Sequence, residues 1–137
     1  MHLTKTLLTV AIMTFSALVS CAQQQETATA EKKSGEIVNV TVQDLKTAME
    51  KDSNFVILDV RTPPELNGPL GHINGVINIP VQVLDQKVNE LEPYKDKKIY
   101  VICRSGNRSR LATQILLKHG YNAVNVMGGM KAYNKSK

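Results

Sequence analysis

The residues best suited to chemistry in this chain lie in one short stretch, CRSGNRS, which runs from Cys103 to Ser109. Gly106 can turn the backbone sharply and Asn107 tolerates left-handed dihedral angles, so successive N–H groups can point inward and form an anion-binding nest. The two arginines of the stretch add positive charge nearby. Each of these features favours thiolate over thiol, so the stretch predicts a nucleophilic Cys103 with a lowered pKa.

The cysteine count supports this interpretation. The chain has two cysteines, Cys21 and Cys103. If Cys21 carries a lipid, as the leader sequence indicates below, Cys103 has no partner for an internal disulfide. A lone thiol in an exported protein is open to oxidation, so Cys103 is either buried and inert or kept for its chemistry. The neighbouring arginines favour the second alternative, because an inert buried cysteine gains nothing from them.

Strand and helix patterns alternate from Glu36 onward and position this stretch. Short β-branched or apolar runs predict five strands: EIVNV, FVILDV, GVINI, KIYVIC and AVNVM. Apolar residues at helical spacing predict helices after a capping Thr41, over residues 81–91 and over residues 109–119. This order predicts an α/β fold of three layers, α/β/α, with a mainly parallel five-stranded sheet. Cys103 follows one strand, at the sheet edge where such folds carry their sites.

The first twenty residues indicate a secretory signal. Lys5 supplies positive charge, and the apolar stretch LLTVAIMTFSALV is short for a mature membrane-spanning helix. The stretch ends in LVSC, which resembles the lipobox of bacterial lipoproteins, in which the cysteine, here Cys21, is lipidated. An ordinary signal peptide is the alternative. The predicted regions are a lipoprotein signal peptide at 1–20, a lipidated Cys21 with a flexible tether at 21–35, and a folded domain at 36–137.

The resemblance to lipoproteins also carries an expected location. It implies an exported protein on the periplasmic side of the cell envelope, anchored in a membrane by lipid, with Ala22 after Cys21 favouring the outer membrane. The polar tether would hold the folded domain near the membrane surface without embedding it. The net charge of +5 is compatible with a small anionic substrate. Basic residues are not interleaved with aromatic ones, so no nucleic-acid partner is expected.

Three further stretches make the motif set specific. CRSGNRS resembles the active-site loop of rhodanese-like sulfurtransferases. DVRTPPEL (Asp59 to Leu66) and GHINGVINIP (Gly71 to Pro80) resemble two other motifs of that family, and GYNAVNVMGGMKAY resembles its closing segment. The matches occur in the family's order and span nearly the whole domain, which makes them more specific together than any one motif alone.

The resemblance implies a mechanism and a set of residue roles. Cys103 would attack the outer sulfur of a small anionic donor such as thiosulfate and carry that sulfur as a persulfide, and cyanide or a thiol would then accept it. Arg108, with Arg104, would bind the donor. No cofactor is implied. The loop backbone would stabilise the persulfide through the N–H groups of the six residues after the cysteine: Arg104, Ser105, Gly106, Asn107, Arg108 and Ser109.

The other motif residues are expected to act as structural supports. Asp59 and Arg61 would form a buried or half-buried polar bracket that fixes the loop, with a direct role in substrate binding as the alternative. His72 would anchor the turn before the third strand, with a role as catalytic base as the alternative. Metal binding is not expected, because His72 and His119 lack ligand spacing with Cys103. The extra residues at Gly68-Pro69 are expected on a surface turn that leaves the chemistry unaffected.

Two other functions stay open at this stage. Phosphatases and arsenate reductases also use a cysteine and an arginine in an anion-binding loop, but the phosphatases place five residues between them, whereas four separate Cys103 from Arg108. A non-catalytic sulfur carrier or scaffold is the other alternative, against which the intact loop argues. A thiol-redox protein is the expected partner that would protect Cys103 outside the cytoplasm.

Overall fold

The computed structural model describes residues 35–51 and 54–136 of the 137-residue chain. The predicted signal peptide, the lipidation at Cys21 and nearly all of the predicted tether lie outside the described residues. Among the helices of the described part, none combines the length and the apolar character that crossing a membrane requires.

The centre of the fold is a five-stranded sheet in which every strand pairing is parallel. The spatial order is β1-β5-β4-β2-β3, so the two longest pairings, β2 with β4 and β4 with β5, lie in the middle. This confirms the predicted α/β fold. The strands are β1 Asn39–Val40, β2 Phe55–Asp59, β3 Ile77–Asn78, β4 Lys98–Ile102 and β5 Asn122–Val126.

The central strands are apolar on both sides because the sheet is covered on both sides. Successive strand residues point to opposite faces, and they join different hydrophobic clusters: Leu58 and Val101 pack in one, Ile57 and Tyr100 in the other. Helices complete each cluster, with Leu116 in the first and Leu45 in the second. The two clusters are the interfaces between the three layers.

The helices differ in several places from the predicted ones. The first begins directly after Thr41, whose Oγ1 accepts a hydrogen bond from the N–H of Asp44 at 3.1 Å, so the predicted cap is confirmed. The helix after Cys103 starts at Asn107, two residues before the predicted Ser109. Two short helices, Pro63–Leu66 and Gly129–Lys135, were not predicted. The helices are α1 Val42–Lys51, α2 Pro63–Leu66, α3 Leu84–Lys87, α4 Asn107–Lys118 and α5 Gly129–Lys135.

The helix predicted over residues 81–91 is wrong as a single α-helix. The chain instead forms α3 and then a 3₁₀ helix, Val88–Tyr94. Pro93 lies in this 3₁₀ helix, and proline disfavours an α-helix by removing an N–H donor and clashing with the carbonyl four residues earlier. Buried Val88 and Leu91 are three residues apart, the spacing at which side chains of a 3₁₀ helix share one face.

Parallel strands bring three chain segments to one edge of the sheet, where their carboxyl ends meet. Cys103 follows β4, the segment from Val60 follows β2, and Gly128 lies just beyond β5. The N–H of Val60 donates to the carbonyl of Ile102 at 3.0 Å, which extends the β2–β4 pairing to the cysteine. These three segments surround the candidate site.

Candidate active site

Cys103 is buried at the end of β4, with its Sγ inside the loop that follows. The side chain is 1% exposed. The N–H of Gly106 donates to Sγ at 3.1 Å, and the Oγ of Ser109 lies 3.4 Å from it. The sulfur therefore has a backbone donor and a hydroxyl as polar neighbours although it packs against the hydrophobic core.

The sharp turn of the loop depends on Gly106. Its φ is +105°, a conformation that L side chains rarely adopt, and a Cβ there would lie 3.2 Å from the N of Gly128. The prediction that Asn107 serves the turn with left-handed dihedral angles is wrong, because Asn107 is the first residue of α4. The early start of α4 brings its amino-terminal N–H groups next to the loop.

The amino-terminal end of α5 binds the loop through two backbone hydrogen bonds. The N–H of Met130 donates to the carbonyl of Cys103 at 2.8 Å, and that of Lys131 donates to the carbonyl of Arg104 at 3.1 Å. Gly129 passes so close that a Cβ on it would overlap the Cys103 carbonyl oxygen. The C=O and N–H of one peptide point in opposite directions. Binding of the Arg104 carbonyl by α5 therefore helps to orient the Ser105 N–H, which is one of the groups that stabilise the thiolate.

The environment lowers the pKa of Cys103, in the direction predicted. Burial raises the pKa, since it disfavours the charged thiolate, but hydrogen bonds outweigh this effect. They come from the Ser109 hydroxyl first, and then from the backbone N–H groups of Ser109, Gly106 and Ser105. Hydrogen bonds therefore account for most of the stabilisation of the thiolate.

The two arginines of the loop differ in their surroundings. The Arg108 guanidinium forms a two-pronged ion pair with Glu65, with both N–O distances at 2.7 Å. The Arg108 hydrogen bond lowers the pKa of Glu65 to about 2, despite partial burial. The pKa of Arg108 is raised, first by its hydrogen bond to Glu65 and, to a lesser degree, by attraction to the charges of Glu65, Cys103 and Asp59. Arg104 is exposed and lines a surface cleft.

Asp59 and Arg61 form a buried ion pair beside the loop. The Arg61 Nη2 lies 2.6 Å from the Asp59 carboxylate, and both side chains are at most 1% exposed. Arg61 also donates to the carbonyls of Glu65 and Gly71, at 3.2 and 2.8 Å. Arg61 thus ties α2 and the following turn to the end of β2. Burying a charged pair is favourable only when its hydrogen bonds are satisfied, as they are here.

His72 lies on the surface. Its Nδ1 is 3.2 Å from the carbonyl oxygen of Leu66, a contact that joins two turns. His119 pairs with Asp85 at 2.9 Å on another surface. Across residues 35–51 and 54–136, no group of three or more His, Cys, Asp or Glu side chains is arranged to hold a metal ion.

The sequence and the fold of this chain are similar to those of known proteins. A model of the rhodanese-like domain matches residues 41–136. The chain belongs to the rhodanese-like domain family. A crystal structure of a rhodanese-like domain protein from Staphylococcus aureus is 31% identical, with a TM-score of 0.64 over 71% of this chain and 91% of that chain.

Two bacterial relatives are similar to this rhodanese-like domain over shorter stretches. "Putative sulfur carrier protein YrkF" of Bacillus subtilis (strain 168) is 35% identical over 96 residues, which cover 69% of this chain and 50% of YrkF. "Thiosulfate sulfurtransferase PspE" of Escherichia coli (strain K12) is 34% identical over 74 residues, which cover 54% of this chain and 69% of PspE. The chain thus spans half of one relative and about two thirds of the other.

The cleft beside the rhodanese-like loop has a volume of about 280 Å³. Gly68 and Pro69 lie on a turn, as predicted, but this turn borders the same cleft as Arg104. The extra residues thus contribute to the cleft wall, and the expectation that they leave the chemistry unaffected stays a prediction. The cleft is lined by Arg61, Glu65, Gly68, Pro69, Leu70 and Arg104.

Two polar residues of the site were not singled out from the sequence. Glu65 lies inside the DVRTPPEL motif, and its pairing with Arg108 joins residues that are 43 positions apart. Asn125 interrupts the apolar run AVNVM, is 3% exposed, and accepts a hydrogen bond from the Ser109 hydroxyl at 2.7 Å. A polar residue within a buried strand is the signal that could have identified Asn125, because burial of an amide requires a partner.

Proposed function

We propose that this chain is a sulfurtransferase that carries a sulfane sulfur on Cys103, from an anionic donor such as thiosulfate to cyanide or a thiol. The observation that carries the proposal is the buried Sγ of Cys103, which accepts the Gly106 N–H and has a lowered pKa. A stabilised thiolate is the reactive form of cysteine at neutral pH. The name of PspE, thiosulfate sulfurtransferase, supports the same donor.

The proposed first half-reaction forms the persulfide. The Cys103 thiolate attacks the outer sulfur of thiosulfate, a new S–S bond forms, and the S–S bond of the donor breaks. Sulfite leaves with the electron pair of that bond. The loop N–H groups that stabilise the thiolate also suit the negative terminal sulfur of the persulfide, because they provide hydrogen bonds without reorganisation.

The second half-reaction returns the enzyme to its starting state. Cyanide or a thiolate attacks the terminal sulfur, and the Cys103 thiolate leaves with the electron pair. The products are thiocyanate or the persulfide of the acceptor, so no external oxidant or reductant is consumed. Two displacements through one covalent intermediate predict ping-pong kinetics.

We assign donor binding to Arg104 and the cleft beside it. Arg104 is exposed on the cleft wall, whereas the Arg108 guanidinium is engaged with Glu65. An exposed guanidinium can bind a sulfonate-like anion through two N–H groups. Arg108 then acts in part through its charge, which lies close enough to the Cys103 thiolate for the two to attract each other.

Intact-mass measurement after thiosulfate treatment tests the proposal. The wild-type chain should gain the mass of one sulfur atom and lose it again on addition of cyanide. Cys103→Ser should gain nothing, whereas Cys21→Ser, the matched control at the other cysteine, should behave like wild type. Absence of the added sulfur in wild type would overturn the proposed function.

Three alternatives predict different outcomes in the same experiment. A sulfur carrier, the role in the name of YrkF, would form a persulfide but discharge it to cyanide or thiols no faster than a small-molecule persulfide does. A non-catalytic scaffold would gain no sulfur at all. A phosphatase would release phosphate from an aryl phosphate without forming a persulfide. Persulfide formation and the turnover rate with both substrates therefore separate the four functions.

We also propose that the chain is exported and held at a membrane by lipid on Cys21, on the periplasmic side of the envelope. The support is the leader sequence, an apolar stretch that ends in LVSC and precedes a polar segment. In that location a thiol-redox protein would keep Cys103 reduced, since a lone reactive thiolate in an exported protein is open to oxidation.

A further inference from the structure

Four side chains form a continuous hydrogen-bond chain from the candidate nucleophile to the edge of the sheet. The Sγ of Cys103 lies 3.4 Å from the Oγ of Ser109, which donates to the Oδ1 of Asn125 at 2.7 Å. The Nδ2 of Asn125 donates to the Oδ1 of Asn39 at 2.8 Å. Ser109 and Asn125 are at most 3% exposed, whereas Asn39 is exposed on edge strand β1.

The parallel register of the sheet creates this chain. Asn39 and Asn125 are direct partners across the β1–β5 pairing. Asn125 alternates with Val124 and Val126, which pack on the other face, so its amide points to the face that α4 covers. Ser109, in the first turn of α4, closes the connection to the sulfur.

In the structure, each hydrogen bond of this chain is donated from the Cys103 side towards Asn39, the direction that a protonated thiol requires. The thiol donates to the Ser109 oxygen, and the one hydroxyl hydrogen of Ser109 is used on Asn125. A serine hydroxyl has a single hydrogen, so in this direction Ser109 cannot donate to a thiolate. A thiolate has no hydrogen to donate and can only accept, so the Ser109 hydroxyl, 3.4 Å from Sγ, stabilises it only when the hydroxyl hydrogen turns towards the sulfur.

The chain can satisfy that requirement by reversing as a whole. Half a turn of each amide lets Asn39 donate to the Oδ1 of Asn125, and Asn125 donate to the Oγ of Ser109. Ser109 then donates to the sulfur anion. Every buried polar group keeps a partner in both directions, so reversal leaves no group unsatisfied. The amide groups of Asn39 at the exposed end exchange their remaining hydrogen bonds with water.

We propose that Asn125 and Asn39 are positioning residues for Cys103, and that their hydrogen-bond chain reverses direction when the sulfur becomes an anion, as thiolate or persulfide. The proposal rests on the proposed role of Cys103 as the reacting atom. It assigns the exposed side chain of Asn39 control over a buried sulfur through two intervening residues. A side chain at position 39 that can only accept hydrogen bonds should lock the chain in the thiol direction.

Charged side chains also lie on the elements around the sulfur, and the test must hold them constant. They belong to the loop, α4, α2, the end of β2 and the segment after it, and α5: Arg104, Arg108, Glu65, Asp59, Arg61 and Lys131. None belongs to the chain of Asn39, Asn125 and Ser109. Substitutions at position 39 therefore leave this charged background in place.

The test compares Asn39→Asp with Val38→Asp in the full chain carrying Cys21→Ser, so that Cys103 is the only thiol. Both positions are exposed, and both variants add the same charge to β1 or its approach. The aspartate at position 39 accepts only, so Ser109 stays committed to Asn125 and the thiolate loses one charged hydrogen bond. The pKa of Cys103 should rise by about one unit in Asn39→Asp. Val38→Asp should shift it far less.

Asn125→Leu provides the decisive second arm, because it interrupts the chain without changing any charge. If the effect of Asn39→Asp passes along the chain, it should disappear in the Asn125→Leu background. The pKa is read from thiolate absorbance and from the pH dependence of alkylation, and thermal unfolding checks that each variant folds. The comparison of positions 38 and 39 decides the question by itself if Asn125→Leu does not fold.

Each outcome assigns the failure to one proposal. Equal shifts in Asn39→Asp and Val38→Asp, or a shift that persists with Asn125→Leu, would show a through-space charge effect and overturn the hydrogen-bond chain. Thiolate titration needs no sulfur donor. If the Cys103 thiol titrates as expected in all variants but the protein forms no persulfide with thiosulfate, only the sulfurtransferase proposal is overturned.

Discussion

Cys103 is a buried thiol whose ionisation depends on hydrogen bonds from a few neighbouring groups. Burial opposes the thiolate, while one hydroxyl and three backbone N–H groups favour it more strongly. Arg108 belongs to the same CRSGNRS stretch, but its guanidinium pairs with Glu65. At this site, short contacts with defined donors therefore matter more than nearby formal charge, because hydrogen bonds to an anion act at close range without intervening water.

The first single-residue prediction concerns Ser109. Ser109→Ala removes the largest hydrogen-bond contribution to the thiolate, so the pKa of Cys103 should rise by about one unit. The measurement is the pH profile of alkylation by iodoacetamide. Ser105→Ala is the matched control, since Ser105 acts on the sulfur through its backbone N–H and its side chain is exposed. Equal profiles for the two variants would contradict the prediction.

The second concerns Glu65, whose pKa in the fold is about 2 against an ordinary value of 4.5. A carboxylate with a lowered pKa stabilises the fold above its ordinary pKa, and this contribution is lost as the pH falls towards 2. Glu65→Gln removes the charge but keeps an acceptor for Thr62. It should cost about 1 kcal/mol near neutral pH, since the pair is partly exposed.

Urea unfolding at a series of pH values measures this difference. The gap between wild type and Glu65→Gln should be constant above about pH 4.5 and shrink as the pH falls towards 2. A gap that stays unchanged through the acidic range would show that the ion pair with Arg108 contributes nothing to stability.

Among the secondary-structure elements, the short helix α5 positions the loop that holds Cys103. It begins where β5 ends, and its first N–H groups bind the carbonyls of Cys103 and Arg104. The helix thereby sets the orientation of the loop peptides that face the sulfur. Its position relative to β4 depends on the close approach of Gly129, which has no side chain to separate the two segments.

Gly129→Ala tests whether the close approach of α5 to the loop contributes to stability. The new Cβ would overlap the Cys103 carbonyl and also strain a residue whose φ is +55°, so the free energy of unfolding should fall by about 3 kcal/mol. Gly75→Ala is the control, because Gly75 has a φ of +80° and open space around a Cβ. The control should cost about 1 kcal/mol. Similar losses of unfolding free energy in both variants would contradict the close packing of α5 against the loop.

Helix α4 offers a matched pair of leucines for testing how it packs. Leu116 is fully buried in the core, and Leu111 is 53% exposed on the same helix. Leu116→Ala should lower the free energy of unfolding by about 3 kcal/mol, because it leaves a cavity and removes apolar contact area. Leu111→Ala should cost less than about 0.5 kcal/mol. Chemical denaturation of both variants checks the difference, and equal losses would contradict this packing.

In the molecule as a whole, the parallel sheet brings distant segments together at one edge. The ends of β2, β4 and β5 supply the ion pair of Asp59 and Arg61, the loop of Cys103, and the entry to α5. All strands run in the same direction, so these segments meet although they are far apart along the chain. Two hydrophobic clusters cover the two faces of the sheet beneath the site.

The proposed anchor at Cys21 gives a prediction for the complete protein. In a bacterial host fed a labelled fatty acid, the wild-type chain should incorporate the label and sediment with membranes. Cys21→Ala should lose both properties, because the thiol that receives the lipid is absent. Cys103→Ser, which removes the other cysteine, should keep them. Labelling of Cys21→Ala would contradict the proposed lipoprotein.

Local patterns predicted the α/β fold, all five strand positions, the Thr41 cap and the location of Cys103 at a strand end. These features depend on neighbours in sequence: apolar periodicity reports burial, and turn and cap residues report where an element begins or ends. The helix over residues 81–91 failed for a reason that is also local. Pro93 lies just outside the apolar pattern, yet it belongs to the 3₁₀ helix that replaces the predicted one.

The partners of the site residues followed only from the fold in three dimensions. Glu65 meets Arg108 across 43 positions, and Asn39 meets Asn125 across 86. Hydrogen bonds and ion pairs depend on the distance and direction between two groups, and a sequence carries neither for residues so far apart. The motif predicted that Cys103 sits in a ring of donors, but only the folded positions of the loop and of α5, which binds the loop carbonyls, decide which donors reach the sulfur.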